Sequence, residues 1–134
     1  MKETNSPTFA TNLQNEAQHQ INKDSALPKI FLVLDITVHD AAMYEQYRIK
    51  AENVITKFGG KYLVRSGAMA FDKDVDRKVS TVAGTWNPDR FIILQWDSAE
   101  QLQNFSSSEE YKSVVKLSEN SATTKAIMVK EFPQ

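Results

Sequence analysis

A few side chains in this sequence are of kinds that bind anions or move protons. Asp35 and His39 lie in and just after one apolar run, and they are candidates for a catalytic acid and base because a histidine titrates near neutral pH. Arg65 and Arg90 carry guanidinium groups whose paired donors suit a carboxylate or an enolate. The remaining candidates, which would contact a substrate, are Tyr47, Trp86 and Asn87.

The same residues also have structural interpretations. A buried pair of Asp35 and Arg65 would be as often a structural ion pair as part of a site. His39 lies between a predicted strand and a predicted helix, a position typical of capping and surface residues. Trp86 can pack on its own turn, and Tyr47 lies on an apolar helical face. The sequence leaves both interpretations open.

Metal and cofactor motifs are weak in this chain. Asp72, Asp74 and Asp76 alternate as at the start of a calcium-binding loop, but Arg77 stands where that loop needs glycine and Ala83 where it needs glutamate. A solvated hairpin arm is the favoured interpretation. There is no phosphate-binding loop, dinucleotide fingerprint or ordered Ser-His-Asp set. We therefore expect no metal and no cofactor.

Composition limits the class of protein. The chain has 134 residues, which fits one domain. Its 16 basic and 17 acidic residues give a net charge of -1, which argues against a nucleic-acid partner. The sequence contains no cysteine, and no apolar run approaches the roughly 18 residues of a membrane span. We expect a soluble cytoplasmic protein without a nucleic-acid or membrane partner.

Hydrophobic periodicity predicts the order β-α-β-β-α-β. Asp40 is expected to cap the first helix and Gly59 to end it, whereas Ser106–Ser108 should interrupt the second. The strands are predicted at Ile30–Val38, Lys61–Ser66, Arg90–Trp96 and Ala126–Glu131, the helices at 44–58 and 99–117, and a charged arm at Phe71–Val79 with a return limb at Ser80–Trp86. Right-handed crossovers then give an α+β, ferredoxin-like fold: a four-stranded antiparallel sheet in the order 4-1-3-2 with helices on one face.

This topology brings the candidate residues together and leaves one sheet face open. The ends of the first two strands and the start of the third meet at one edge, and Asp35 and Arg65 are expected to point toward the open face. That edge gathers Asp35, His39, Arg65, Trp86, Asn87 and Arg90. The open face also carries Phe31, Val33, Phe91 and Ile93. Because that face is too apolar to leave in water, we expect a homodimer formed through it.

The N-terminal residues 1–28 differ from the rest of the chain, so residues 29–134 are predicted to form the folded domain. The segment is polar, and a flexible extension is the favoured interpretation. Phe9, Leu13, Ala17 and Ile21 nevertheless recur every fourth residue, which would align them on one helical face. A helix docked on this or a partner subunit is therefore the alternative.

Four short motifs together resemble a known family. They are Tyr44-x-x-Tyr47, Gly59-Gly60-Lys-Tyr-Leu-Val-Arg65, Gly84-x-Trp86-x-Pro88-x-Arg90 and Ser108-x-Glu110-Tyr111. In order and spacing they are similar to the domain of unknown function family DUF1330, of the dimeric α+β barrel superfamily, from about Lys29 to Phe132. The resemblance implies a ferredoxin-like protomer and a barrel formed by two subunits, and it implies no activity.

The chain departs from the family pattern in three places. The arm at Asp72–Lys78 lengthens a hairpin, residues 1–28 look additional, and an arginine expected near Leu117 is absent. Superfamily relatives that bind haem use a helical histidine, and the second predicted helix has none.

Two functional hypotheses follow. In the first, the barrel cleft binds a small anionic or carbonyl-bearing molecule, with Arg65 and Arg90 holding charge and Asp35 or His39 handling a proton. The superfamily analogy for this hypothesis is cofactor-free isomerase- or monooxygenase-like chemistry. In the second, the protein is a non-enzymatic dimeric binding or regulatory module with a purely structural barrel interior. Whether the protein is an enzyme stays open.

Overall fold

The computed structural model describes residues 9–23, 29–72 and 79–132. In chain order the elements are α1 (Phe9–Lys23), β1 (Ile30–Val38), α2 (Ala41–Lys57), β2 (Lys61–Gly67), a 3-10 turn (Ala70–Asp72), β3 (Arg90–Trp96), α3 (Ala99–Ser106), α4 (Glu109–Lys112), α5 (Val115–Ser121) and β4 (Ala122–Lys130). Most of the predicted charged arm, with Asp74 and Asp76, lies outside the described residues. The predicted return limb is a loop over residues 79–89.

The four strands form one antiparallel sheet in the order β2-β3-β1-β4. This arrangement confirms the predicted α+β, ferredoxin-like topology. Along β1 the even-numbered residues from Ile30 to Ile36 are buried, whereas Phe31, Val33 and Asp35 on the other face are half-buried. One face of the sheet therefore packs on helices and the other is open. β4 begins four residues earlier than predicted, with Ala122 opposite Val38 of β1.

The helices begin and end at the residues that the sequence marks. Asp40 caps α2 by accepting a hydrogen bond from the amide of Met43, at 3.1 Å. Gly59 follows α2 with φ of 94°, a left-handed conformation that favours glycine. The second predicted helix is divided into three helices, α3, α4 and α5. Ser98 caps α3, and Ser108 caps α4. The predicted interruption at Ser106–Ser108 is thus present.

The N-terminal segment contains a docked helix. Over Phe9–Lys23 the structure shows α1 packed against α3, whereas the favoured interpretation of the sequence alone is a flexible extension. Ala10, Leu13 and Ala17 are buried, and the side-chain amide of Gln14 donates to the backbone carbonyl of Ser106 at 2.8 Å. Spacings of three and four residues place these buried side chains on one face of the helix. Residues 1–8 and 24–28 lie outside the described residues, and the domain boundary at residue 29 stays a prediction.

Candidate functional site

The sheet separates the predicted site residues onto its two faces. Asp35 of β1 lies opposite Phe91 of β3, and both point to the open face. Arg90 lies opposite the buried Ile36 and points into the layer between sheet and helices, where it is 2% exposed. Asp35 and Arg90 are therefore on opposite sides of the sheet.

Arg65 also points to the helix side, so the predicted pair of Asp35 and Arg65 does not form. The pairing of β2 with β3 shifts between Tyr62 and Val64, which leaves Leu63 as one extra residue. Because side chains alternate along a strand, an extra residue inverts the direction of every later side chain. Arg65 consequently lies opposite the buried Ile92.

Arg65 and Arg90 instead share the carboxylate of Asp72. Nε of Arg65 donates to one oxygen of Asp72 at 2.8 Å, and Nε of Arg90 donates to the other at 2.7 Å. The Asp72 side chain is fully buried, and that of Arg90 is 3% exposed. Charged groups at this depth are stable only when paired in this way.

Glu52 of α2 joins this pair to the helix layer. One of its oxygens lies 2.8 Å from Arg65, 3.2 Å from Arg48 and 3.6 Å from Arg90. Arg48 also contacts the more exposed Glu45, at 3.3 Å. We call Arg48, Glu52, Arg65, Asp72 and Arg90 the arginine–carboxylate cluster.

Aromatic rings surround this cluster. The ring of Phe71 lies 5.0 Å from the guanidinium carbon of Arg48 and 5.4 Å from that of Arg90, and it stacks on Tyr44 at 6.0 Å. The 3-10 turn Ala70–Asp72 therefore supplies both an aromatic contact and the buried carboxylate.

Four tyrosines, all that the chain contains, line the adjacent space. The hydroxyl of Tyr44 accepts a hydrogen bond from Arg90 at 3.2 Å, and the hydroxyls of Tyr47 and Tyr111 lie 2.8 Å apart. Burial raises the pKa of each of these side chains, and of Tyr62, above the ordinary tyrosine value. All four hydroxyls are therefore neutral and able to donate a hydrogen bond at neutral pH.

The guanidinium of Arg90 stays charged in the same place. Burial disfavours its charged form, but the contacts with Tyr44 and Asp72 outweigh that effect and raise the pKa of Arg90. The positive charge is thus a fixed property of this layer.

A cavity of about 40 Å³ lies between the sheet and the helices at this point. We call it the tyrosine–arginine cavity. Its polar lining consists of Tyr44, Tyr47, Tyr62, Tyr111, Arg48 and Arg90. The rest of its wall is apolar and includes Phe9, Leu32, Leu34, Ile92, Leu94 and Phe105. The buried Nε of Arg48 has no hydrogen-bond partner among the described residues.

The other predicted site residues lie away from this cavity. On the open face, the indole nitrogen of Trp86 donates to Asp35 at 2.8 Å, and the Trp86 ring meets Phe91 edge to face at 5.8 Å. Asn87 is exposed in the loop before β3, and its side-chain oxygen lies 3.5 Å from the hydroxyl of Thr81.

His39 is exposed where β1 ends, and its ring binds a residue of β4. Its Nε2 lies 2.7 Å from the hydroxyl of Thr123, and its backbone amide donates to the carbonyl of Ser121. These contacts fix the junction between β1, α2 and β4. They give the imidazole no position beside Asp35, Arg65 or Arg90 within the described structure.

Sequence reasoning missed the residues that complete the cluster. The sequence pattern assigns Asp72 to a charged, solvated arm, and it does not mark Glu52 as a site residue. A usable signal was present in the spacing, because Tyr44, Arg48 and Glu52 recur every fourth residue and so share one edge of α2. The chain supplied no comparable signal for Asp72.

Neither a metal-binding cluster nor a membrane-spanning helix is found among the described residues. Within the described ranges, no group of three or more histidine, aspartate or glutamate residues is arranged to hold a metal ion. None of the described helices has the length and apolar character needed to cross a bilayer.

Comparison with known proteins identifies a family. Residues 29–132 match the family model described as Domain of unknown function (DUF1330). A search of curated proteins finds no match.

Two kinds of solved structure are similar in fold. A protein of unknown function from Rhodopseudomonas palustris is 14% identical, with a TM-score of 0.70, and the alignment covers 99% of this chain and 100% of that one. That protein is designated RPA0582. The structure of methylated RPA0582 gives the same TM-score and identity, and the alignment covers 98% of that chain. The cofactor-independent oxygenase SnoaB from Streptomyces nogalater is 7% identical, with a TM-score of 0.53, over 80% of this chain and 96% of that one.

Proposed function

Since this chain belongs to the DUF1330 family, whose name assigns no function, we propose from the geometry of its own residues that it binds a small organic molecule with an anionic or carbonyl oxygen in the tyrosine–arginine cavity. One observation carries this proposal: hydrogen-bond donors converge on an otherwise apolar cavity. This arrangement is typical of small-molecule sites.

The donors favour an oxygen acceptor as the ligand group. Tyr44 accepts from Arg90, and no described residue accepts the hydrogen of its own hydroxyl. Because either Tyr47 or Tyr111 donates to the other, one hydroxyl hydrogen of that pair is also left for an acceptor. Arg48 adds a buried Nε without a partner among the described residues.

The likeness to SnoaB favours cofactor-free chemistry on such a ligand. An enolate or phenolate is the form that an isomerase reprotonates and that can give an electron to dioxygen, and fixed donors would stabilise its negative oxygen. Neither Asp35 nor His39 lines the cavity, and its described lining contains no carboxylate or imidazole. The geometry therefore supports binding of an ionised or carbonyl oxygen more directly than proton abstraction by the protein.

A non-enzymatic module with a structural interior is the second candidate. The observation that favours it is the size of the cavity, since about 40 Å³ holds only one or a few water molecules. A ligand larger than water must displace a side chain.

Ligand-induced thermal shifts distinguish the two candidates. The panel contains small carboxylates, phenols, quinones and keto acids, and the variant is Tyr44→Phe, which keeps the ring and removes one donor. We expect a phenol or enol to raise the melting temperature of the wild type and to bind Tyr44→Phe about tenfold more weakly, equivalent to roughly 1.4 kcal/mol.

The matched control is Trp86→Phe, which changes an aromatic donor on the opposite face of the sheet. Its affinity for the ligand should equal that of the wild type. If no compound shifts the wild type, the binding proposal fails and the structural module is favoured.

We also propose that the protein is a homodimer through its open sheet face. The support is the half-buried apolar row of Phe31, Val33, Phe91 and Ile93 together with the exposed Ile127 and Val129. Such a face is larger and more continuous than the single apolar residues common on protein surfaces.

A further inference from the structure

The N-terminal helix places an aromatic ring in the wall of the tyrosine–arginine cavity. Phe9, the first residue of α1, lines that cavity and also a larger groove of about 660 Å³. The groove is bordered by Leu13 and Glu16 of α1 and by Met128 of the edge strand β4. The side chains of Phe9 and Leu32 line both spaces and therefore form the partition between them.

The two partition residues differ in how firmly they are held. Leu32 is 3% exposed at the centre of β1, which pairs with β3 on one side and β4 on the other. Phe9 is only partly buried and begins a helix. The part of the wall that can move without disturbing the sheet is therefore Phe9.

The attachment of α1 is compatible with movement. Among the α1 residues whose burial is described, the buried ones are two alanines, Ala10 and Ala17, and a single large residue, Leu13. The side-chain amide of Gln14 donates to the carbonyl of Ser106 at 2.8 Å, and Gln18 accepts a hydrogen bond from the side-chain amide of Gln103 in α3 at 3.5 Å. The helix also lies outside residues 29–132, which the family model matches, so the remaining cavity wall belongs to the family domain.

We propose that α1 is a lid on the tyrosine–arginine cavity and that a ligand enters from the groove by displacing the ring of Phe9. This inference rests on the proposed function and adds the entry route and the ligand class. The space left by a phenyl ring, added to the present cavity, fits one six-membered ring. The ligand is therefore a single-ring phenol or cyclic enol whose oxygen points to Tyr44 and Arg90, with any substituent lying in the groove.

The test compares variants of the full-length chain. Phe9→Ala removes the lid's ring, and Ile21→Ala is the matched control, because Ile21 is an apolar α1 residue packed on the core that does not border either space. A third variant, Gln18→Cys with Gln103→Cys, locks α1 to α3 by a disulfide or a short thiol crosslinker. These side chains meet at 3.5 Å and the chain has no other cysteine.

Two probes separate opening of the cavity from recognition of the oxygen. The first probe is para-nitrophenol, whose association rate and affinity are followed by stopped-flow absorbance. The second probe is toluene, which has no oxygen and whose uptake is followed by thermal shift. If the lid is open in about one molecule in ten, removing Phe9 should raise the apparent affinity about tenfold. The locked variant should bind para-nitrophenol more slowly than the wild type, and reversing the crosslink should restore the rate.

The outcomes distinguish failure of the lid from failure of the proposed function. Equal binding rates for the wild type, Phe9→Ala and the locked variant would overturn the lid. If Phe9→Ala takes up toluene but no variant binds para-nitrophenol, the lid is supported and the proposed oxygen-binding function fails. If Phe9→Ala takes up neither probe and circular dichroism shows that it is folded, both proposals are overturned.

Discussion

At the scale of single residues, the tyrosines of the cavity keep their protons because a phenolate there would lose its hydration. Burial is the leading cause that raises the pKa of Tyr47 well above its usual value, and Tyr111 adds to the effect. For Tyr44, burial raises the pKa although the charge of Arg90 opposes it. The cavity therefore offers neutral donors beside a fixed cation.

These pKa shifts predict that the protein loses stability in alkaline solution. At pH values below 10.0, the ordinary tyrosine pKa, folded and unfolded tyrosines are both neutral and the stabilising contribution is complete. Above that value the unfolded chain ionises first, so the free energy of unfolding falls until the pH reaches the raised pKa of the folded state. Each such tyrosine adds a slope of about 1.4 kcal/mol per pH unit, which urea denaturation at several pH values measures.

Tyr47→Phe provides the control for this slope. The variant loses one titrating group together with the hydrogen bond to Tyr111, so it should be less stable at neutral pH but less sensitive to alkali. Comparing two chains that differ at one position cancels the titration of the lysines. An identical alkaline slope in both chains would show that Tyr47 ionises as readily in the folded state as in the unfolded one.

At the scale of elements, one extra residue in β2 decides which face of the sheet carries charge. With Leu63 left out of the pairing with β3, Arg65 points toward α2 and reaches both Asp72 and Glu52 at 2.8 Å. Regular alternation would have sent the same guanidinium to the open face. The arginine–carboxylate cluster thus depends on a local irregularity of the backbone.

Removing the guanidinium group of Arg65 should therefore destabilise the protein. Arg65→Met leaves the buried carboxylate of Asp72 with Arg90 alone, at an expected cost of about 2 kcal/mol in the free energy of unfolding. Leu63→Ala is the control, because it truncates a side chain of the same strand that is 51% exposed. It should change stability by less than about 1 kcal/mol. Equal losses in urea denaturation of the two variants would contradict a role for Arg65 in holding Asp72.

The elements also show how far the sequence predicts this structure. β1 alternates without interruption and α2 has both an Asp40 cap and a Gly59 stop, so their faces and limits follow from local chemistry. The irregularity at Leu63 lies in a run of ordinary strand residues without a glycine or proline, and local preferences therefore do not reveal it. The position of Asp72 depends on two arginines that come from different strands. Such a contact is fixed by tertiary packing and not by sequence spacing.

At the scale of the whole molecule, the feature that needs a partner is the apolar open face of the sheet. Nine-residue β1 spans about 30 Å, and four strands are about 19 Å wide, so the flat area of the face, about 570 Å², is about 70% of the roughly 800 Å² per partner of a stable interface. Its charged residues are compatible with a symmetric contact, because Asp35 and Lys125 lie opposite each other on adjacent strands and can neutralise one another within one protomer.

A charge placed on this face should therefore convert the proposed dimer into a monomer. Ile127 is 61% exposed and lies opposite Val33, so Ile127→Glu would bury an unpaired carboxylate at the proposed interface. Ile49→Glu is the matched control, since Ile49 is 51% exposed but belongs to α2 on the helix side. Sedimentation equilibrium should give twice the chain mass for the wild type and the control and a single chain mass for Ile127→Glu. A wild type that sediments as one chain at all concentrations would mean that this apolar face meets some other partner or remains in water.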